Sequence, residues 1–139
     1  MGGTVPPVGT SGTAVRSVSE QWTAEALGSG SLPVFGTPAL VALMEEAACV
    51  ALQPFLGDSE TSVGTGISTS HISATAVGSQ VRARATLTSV AKKSLTFALV
   101  AEDTTGAVVG EGTHTRIVLS AEKFMGKLGQ RKQTGFPSA

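Results

Sequence analysis

Two carboxylates interrupt an otherwise apolar stretch of this chain. Glu45 and Glu46 lie within residues 37–53, TPALVALMEEAACVALQ, which carry no other charge. A helix that is apolar on every side is normally buried, and a buried charge is costly unless it is paired or used. Because neighbouring side chains point about 100° apart on a helix, we expect only one of the two to reach solvent. The other is predicted to be functional.

A hydroxyl and an imidazole are the next candidates for chemistry. Thr37 opens the helix, where its hydroxyl either caps the helix or lies beside free N–H groups that bind a developing oxyanion. His71 falls in a strand pattern and is either a hydrogen-bonded structural histidine or a general acid/base. His114, the second of the two histidines, is interpreted as structural, since Gly112 and Arg116 on the same strand face form no obvious site with it.

The spacing of Thr37 and Glu45 predicts more than one chain. The two residues are eight positions apart on one helix, which separates them by about 12 Å along its axis. They can hardly act on one small group within a single protomer, so a shared site requires a second chain. The charged fraction of 14%, against about 25% in ordinary soluble domains, also indicates surface hidden in an oligomer.

The elements around these residues indicate one α+β domain. A Gly/Pro/Thr-rich segment at 1–13 is predicted to be disordered, the domain spans 14–128, and a basic stretch from Lys123 frays into a flexible tail at 129–139. Pro38 suits the first turn of the helix, and Pro54 favours its end. Strands are predicted at residues 15–27, 64–75, 80–90, 95–102 and 108–119. One long central helix wrapped by a curved antiparallel sheet is the hot-dog arrangement, although composition alone also permits another helix-on-sheet fold.

Composition argues against several classes of partner. Ten basic residues balance ten acidic ones and aromatics are only 4% of the chain, so neither a nucleic acid nor an anionic membrane is an expected partner. The chain shows no run of about 18 apolar residues and no signal peptide, which predicts a cytoplasmic protein. Cys49 is predicted to be a core residue.

Three segments of the chain resemble a known family. VFGTPALVALMEEAACVAL, SVGTGISTSHISATAVGSQVRARATLTSV and GEGTHTRIVLSAEKF, which lie within roughly residues 33–128, are similar to the hot-dog-fold acyl-CoA thioesterases that include the fluoroacetyl-CoA thioesterase. The resemblance implies a homodimer, with a tetramer as an open alternative. It implies hydrolysis of an acyl-CoA thioester without a metal or a cofactor other than the CoA of the substrate.

The resemblance also assigns residues. It implies that Thr37, Glu45 and His71 are catalytic and that Gly64 lies near the thioester of the substrate. Arg116 matches a family arginine of open role, and we place it with Gly64 and Phe35 in the substrate-binding group.

One departure from the family concerns specificity. The specialised enzyme has two phenylalanines ahead of the helix that form a lid, whereas residues 28–32 are GSGSL in this chain. We therefore expect hydrolysis of a small acyl-CoA without fluoroacetyl specificity. Two alternatives stay open: a non-catalytic acyl-CoA-binding dimer, and a hydratase or dehydratase, whose Asp-x4-His pattern is missing. The basic residues that could meet CoA phosphates, or only face solvent, are Lys92, Lys93, Lys123, Lys127, Arg131 and Lys132.

Overall fold

A computed structural model describes residues 3–131 and 134–138. Five antiparallel strands form one sheet in the order β1-β3-β4-β5-β2. The strands are β1 Ser11–Ser17, β2 Glu60–His71, β3 Gln80–Ala91, β4 Ser94–Asp103 and β5 Val108–Ser120. The helices are α1 Ala24–Leu27, α2 Thr37–Leu52 and α3 Ala121–Gly129. The sheet curls around α2, so the predicted hot-dog fold is confirmed.

The inner face of the sheet packs on one side of α2. β3 shows the predicted alternation, since its apolar residues are buried and Arg82 and Arg84 between them are exposed. Gly12 of β1 lies directly against the helix, where an added Cβ would be 2.4 Å from the main-chain nitrogen of Ala51. The small side chains of α2 thus allow close approach. Its buried residues are Ala39, Leu40, Leu43, Met44, Ala47, Ala48, Ala51 and Leu52.

The opposite side of α2 is open, which corrects the prediction of a helix buried all round. Ala42, Glu46, Cys49 and Val50 are exposed. The prediction that Cys49 is a core residue is therefore wrong. An apolar side chain on this face has the same sequence signature as one in the core, so the pattern alone could not separate them.

The N-terminal predictions also need correction. β1 begins at Ser11, inside the segment 1–13 that was expected to be disordered, and Gly9 N–H donates to the carbonyl of Leu87 at 2.8 Å. The strand predicted over residues 15–27 ends at Ser17 and is followed by a 3₁₀ turn, Glu20–Trp22, and by α1.

The C-terminal segment is helical where fraying was expected. α3 spans Ala121–Gly129, and the Ser120 hydroxyl caps it by accepting from the N–H of Lys123 at 3.3 Å. The predicted boundary at residue 128 thus falls in the last turn of α3. Lys132 lies outside the described residues.

The sheet order differs from a simple meander. β2 pairs with β5 and not with β3, its neighbour in sequence, so its other edge has no partner strand among the residues the structure describes. α2 with the 3₁₀ turn after it, Thr37–Phe55, is long and apolar enough to meet a composition test for a membrane span. Its packing inside the sheet instead identifies it as the core helix of this domain.

Candidate active site

Thr37 and His71 form a hydrogen-bonded pair at the start of α2. Thr37 is the first residue of α2 and His71 is the last residue of β2. Thr37 Oγ1 lies 2.8 Å from His71 Nδ1. Gly36, rather than Thr37, is the N-cap residue, and no side chain caps the helix. The alternative that Thr37 serves as the cap is therefore wrong, and its hydroxyl is committed to the imidazole.

The imidazole of His71 packs against Phe35 and is partly buried. Phe35 is 1% exposed and its ring meets that of His71 edge-on, with centroids 6.4 Å apart. Nε2 of His71 is buried without a hydrogen-bond partner in the described part of the chain. Burial lowers the pKa of His71, and a weaker interaction with the main chain of Ser73 acts in the opposite direction. The lowered pKa favours the neutral imidazole at pH 7, and Nδ1 is the ring nitrogen that contacts Thr37.

Phe35 does not lie where a substrate-binding residue is expected. Its ring is enclosed in the core, so it offers almost no surface to a ligand. Its ring instead packs edge-on against the imidazole of His71, at an interplanar angle of 80°. The structure thus gives Phe35 a supporting position in place of the predicted substrate contact.

Glu45 is the centre of a second group, halfway along α2. Its side chain is 40% exposed, and Oε2 accepts a hydrogen bond from Arg116 Nη1 at 3.1 Å. The predicted buried carboxylate is thus half-open and paired with a cation. Glu46 forms an ion pair with Arg16 at 2.8 Å and is 49% exposed. This agrees with a surface role for Glu46 and leaves Glu45 as the candidate for chemistry.

Arg116 is buried, and each of its three side-chain nitrogens donates a hydrogen bond. Only 5% of the residue is exposed. Its Nε donates to Ser62 Oγ at 2.9 Å and its Nη2 to the carbonyl of Ser62 at 3.0 Å. Its Nη1 faces both Glu45 and His114 Nε2, each at 3.1 Å. A buried guanidinium is tolerated only when its donors are satisfied in this way.

His114 belongs to the Glu45 group, which the sequence prediction missed. The residue is 2% exposed, and its Nδ1 lies 2.7 Å from the carbonyl oxygen of Gly66. The useful signal was the alternation of β5, which places His114 and Arg116 on one face. Ser62 and Gly66 come from β2, and no local pattern could have identified them.

Gly64 makes room for the carboxylate of Glu45. A Cβ at this position would lie 2.6 Å from Glu45 Oε2 and 3.1 Å from His114 Cε1. The register of β2 against β5 shifts between Gly64 and Gly66, so Thr65 forms a bulge there. Gly64 therefore lies beside the carboxylate of Glu45, and its place near the thioester of the substrate stays a prediction.

We expect Gly64→Ala to displace Glu45. The added methyl group should push the flexible Glu45 side chain away from Arg116 and lower kcat, with only a small decrease in the unfolding free energy measured by urea unfolding. Gly66→Ala is the matched control, because its Cβ would meet only the side-chain oxygen of Thr115, at 3.2 Å. Equal effects of the two substitutions would contradict the assignment of Gly64 to the site.

The Thr37 and Glu45 groups remain apart within one chain. They are eight residues apart on α2, or about 12 Å along the helix axis. His71 bonds to Thr37, and Glu45 bonds to Arg116. Within one protomer the three residues that the resemblance implies to be catalytic therefore fall into two separate groups.

Two of the basic candidates, Lys92 and Lys93, lie away from both groups. Lys92 and Lys93 line a cavity of about 280 Å³ beside Phe55, at the end of α2 opposite Thr37. Over residues 3–131 and 134–138, no three His, Cys, Asp or Glu side chains come together as metal ligands would.

Solved structures share the hot-dog fold of this chain. A solved structure of a Thermus thermophilus hypothetical protein, a thioesterase superfamily member, shares the fold at 23% identity, with a TM-score of 0.83 and coverage of 91% of this chain and 93% of that chain. A solved structure of the fluoroacetyl-CoA thioesterase is 34% identical, with a TM-score of 0.84 and coverage of 91% of this chain and 98% of that chain.

The family follows from the sequence comparison. Residues 18–122 match the family described as fluoroacetyl-CoA-specific thioesterase. The fluoroacetyl-CoA thioesterase of Streptantibioticus cattleyicolor is 39% identical over 102 residues, which are 73% of each chain. The protein belongs to the fluoroacetyl-CoA-specific thioesterase family, and its class is that of the thioester hydrolases.

Proposed function

We propose that this protein hydrolyses acyl-CoA thioesters with small acyl groups to the free acid and CoA. The carboxylate of Glu45 carries the proposal, because it is half-open to solvent yet held by Arg116 at 3.1 Å. A carboxylate in this setting attacks the thioester carbonyl or removes a proton from the attacking water. In both paths the C–S bond breaks and CoA leaves as the thiol. In the nucleophilic path, water then hydrolyses the anhydride between the acyl group and Glu45, which releases the acid and restores the carboxylate.

Thr37 and His71 supply the second half of the chemistry. The first turn of α2 carries N–H groups without helical partners, which suit a developing oxyanion. The Thr37 hydroxyl can bind the substrate while it remains bonded to His71 Nδ1. Because Nε2 of His71 is buried, proton exchange with substrate runs through Nδ1 and Thr37. No metal or bound cofactor is required for these steps.

We place the complete site between two copies of the chain. The gap of about 12 Å along α2 keeps Thr37 and Glu45 from acting together in one protomer. A homodimer in which one chain supplies Thr37 and His71, and its partner supplies Glu45, closes this gap. Dimers are usually two-fold symmetric, so each would contain two such sites.

The open edge of β2 supports this assembly. β2 has twelve residues, of which Gly64–Ser68 are exposed, and it lies at the end of the sheet. A long exposed edge strand invites pairing with another chain. Ile67 of β2 and Val50 of α2 are exposed apolar residues, at 37% and 47%. Pairing of two β2 strands would give hydrogen bonds to the unpaired main-chain groups of this edge. It would also cover apolar surface next to Glu45.

The segment ahead of α2 supports broad use of small acyl groups. Residues 28–32 are exposed and contain no aromatic side chain. Gly28 has φ of 72°, a conformation that favours glycine and ends α1. This segment leads directly to Thr37, so an open entrance there would not select strongly for fluorine.

An exposed free thiol at Cys49 suits the cytoplasm, where we place the protein.

Release of CoA thiol tests the proposed function. With a thiol reagent, we expect turnover of acetyl-CoA and fluoroacetyl-CoA with kcat/KM values within about tenfold of each other, a difference of about 1.4 kcal/mol. We expect slower turnover of phenylacetyl-CoA and no effect of EDTA. Absence of thiol release from all three substrates would overturn the function. A preference for fluoroacetyl-CoA above about 100-fold would overturn only the specificity.

A further inference from the structure

We infer that His114 is a positioning residue that orients Arg116 toward Glu45. Its catalytic consequence rests on the proposed function, whereas its hydrogen-bonding role does not. The contacts form one continuous chain, from the carbonyl of Gly66 through the buried side chains of His114 and Arg116 to the half-open carboxylate of Glu45. His114 does not face the substrate, so it acts through the other two side chains.

The partners of His114 determine its protonation state. The carbonyl oxygen of Gly66 can only accept, so the Nδ1–H of His114 must donate to it across 2.7 Å. Arg116 Nη1 can only donate, so His114 Nε2 must accept from it across 3.1 Å. The imidazole is therefore neutral, with its proton on Nδ1. Although Nε2 is 3.8 Å from Glu45 Oε2, the pair is not a salt bridge because Nε2 carries no proton.

The available hydrogen-bond acceptors also fix the orientation of the Arg116 guanidinium. Nη1 carries two hydrogens, and Glu45 Oε2 and His114 Nε2 each take one at 3.1 Å. The opposite edge is anchored by Ser62, through the hydroxyl and the carbonyl. Loss of the His114 acceptor would leave one buried Nη1 hydrogen without a partner. The guanidinium would then rotate to satisfy it, and its direction toward Glu45 would change.

The position of the Glu45 carboxylate depends on the hydrogen bond from Arg116 more than that of a fully buried carboxylate would. Its side chain is 40% exposed and has several rotamers, with Arg116 as its hydrogen-bond partner in the described structure. A misplacement of about 1 Å in a reacting group can cost about 100-fold in rate. A small rotation of Arg116 is therefore sufficient to reduce turnover without disrupting the fold.

Two substitutions at His114 separate positioning from a purely structural role. In His114→Gln the amide oxygen replaces Nε2 and accepts from Arg116, while the bond to Gly66 is lost. In His114→Asn the amide replaces Nδ1 and donates to Gly66, but the shorter side chain does not reach Arg116. Each variant thus loses one buried hydrogen bond, and a structural role predicts similar losses of stability and activity from both.

The positioning role predicts different activities. We expect His114→Asn to lower kcat about 10–100-fold, a range consistent with displacement of a reacting group, with KM changed by less than about threefold. His114→Gln should recover most of the lost kcat. Equal losses of kcat in two folded variants, or a loss confined to KM, would overturn the inference.

Nuclear magnetic resonance of imidazole ¹⁵N supplies a test that needs no turnover. His114 should carry its proton on Nδ1 and none on Nε2, because the Gly66 carbonyl accepts from the first nitrogen and Arg116 donates to the second. A charged ring, or a proton on Nε2, would overturn the inference even in an active enzyme. If instead the wild type hydrolyses no thioester but shows this tautomer, the proposed function fails and the hydrogen-bonding role of His114 stands.

Discussion

Glu45→Gln should lower kcat for acetyl-CoA hydrolysis by about 1000-fold or more, the effect of losing a nucleophile or general base. The amide can still accept a hydrogen bond from Arg116 through its oxygen, so the fold and KM should change little. It can neither attack a carbonyl at a useful rate nor take a proton from water. Steady-state thiol release, with circular dichroism to verify folding, measures the effect.

Glu46→Gln is the matched control for this prediction. Glu46 is the next residue on α2 and forms an exposed ion pair with Arg16. Such pairs contribute about 0–1 kcal/mol to stability, so this variant should keep nearly full activity. If Glu45→Gln retained the activity of Glu46→Gln, the mechanism would be wrong, whichever path the reaction follows.

His71→Asn should lower kcat about 100–10,000-fold, the usual range for a lost general acid/base. The asparagine amide occupies the position of Nδ1, so it preserves a hydrogen bond to Thr37 while removing the titrating group. A role limited to orienting the Thr37 hydroxyl would therefore leave most of the activity in place. The comparison of His71→Asn with the wild type decides between proton transfer and orientation alone.

The pH profile gives a second measurement of the same prediction. Burial lowers the pKa of His71 below its ordinary value, which is about 6.5. The midpoint of the loss of kcat/KM due to His71 as the pH falls should therefore lie below about pH 6.5. A midpoint above that value would contradict a buried His71. This limb should be absent from the residual activity of His71→Asn.

The same shift affects stability with a defined sign. The unfolded chain protonates His71 at its ordinary pKa, whereas the folded chain does so only at lower pH because of burial. Between the lowered pKa of the folded chain and the ordinary value of about 6.5, the unfolded state thus binds more protons than the folded state. The contribution of His71 to the unfolding free energy is unchanged above about pH 6.5 and decreases as the pH falls through the lowered pKa.

The sequence predicted the elements whose signals are local. Pro38 and Pro54 bracket the central helix, whose regular part ends at Leu52, and the alternation over residues 80–90 identified β3. β1 was misplaced because a Gly- and Thr-containing edge strand has a weak pattern. The α3 helix was missed because glycines and basic residues in the C-terminal stretch suggested a solvated tail.

The sequence indicated candidate residues for the site but not the hydrogen-bond partners that hold them. The apolar helix singled out a glutamate, and the spacing of Thr37 and Glu45 indicated two chains. The pairing of β2 with β5 could not be predicted, because it joins strands separated by two others in sequence. That pairing brings Ser62 and Gly66 to Arg116 and His114. The network that holds Glu45 is therefore a property of the sheet, not of any local motif.

We expect each active site to draw Glu45 from one chain and the Thr37–His71 pair from the other. A purified heterodimer of one Glu45→Gln protomer and one His71→Asn protomer distinguishes this arrangement from a site within one chain, with the two homodimeric variants as inactive controls. One interface site would then contain no substitution and the other would contain both. Two-fold symmetry predicts about half of the wild-type kcat per dimer. A heterodimer as inactive as its parents would show that each site is built within one chain and would contradict the account.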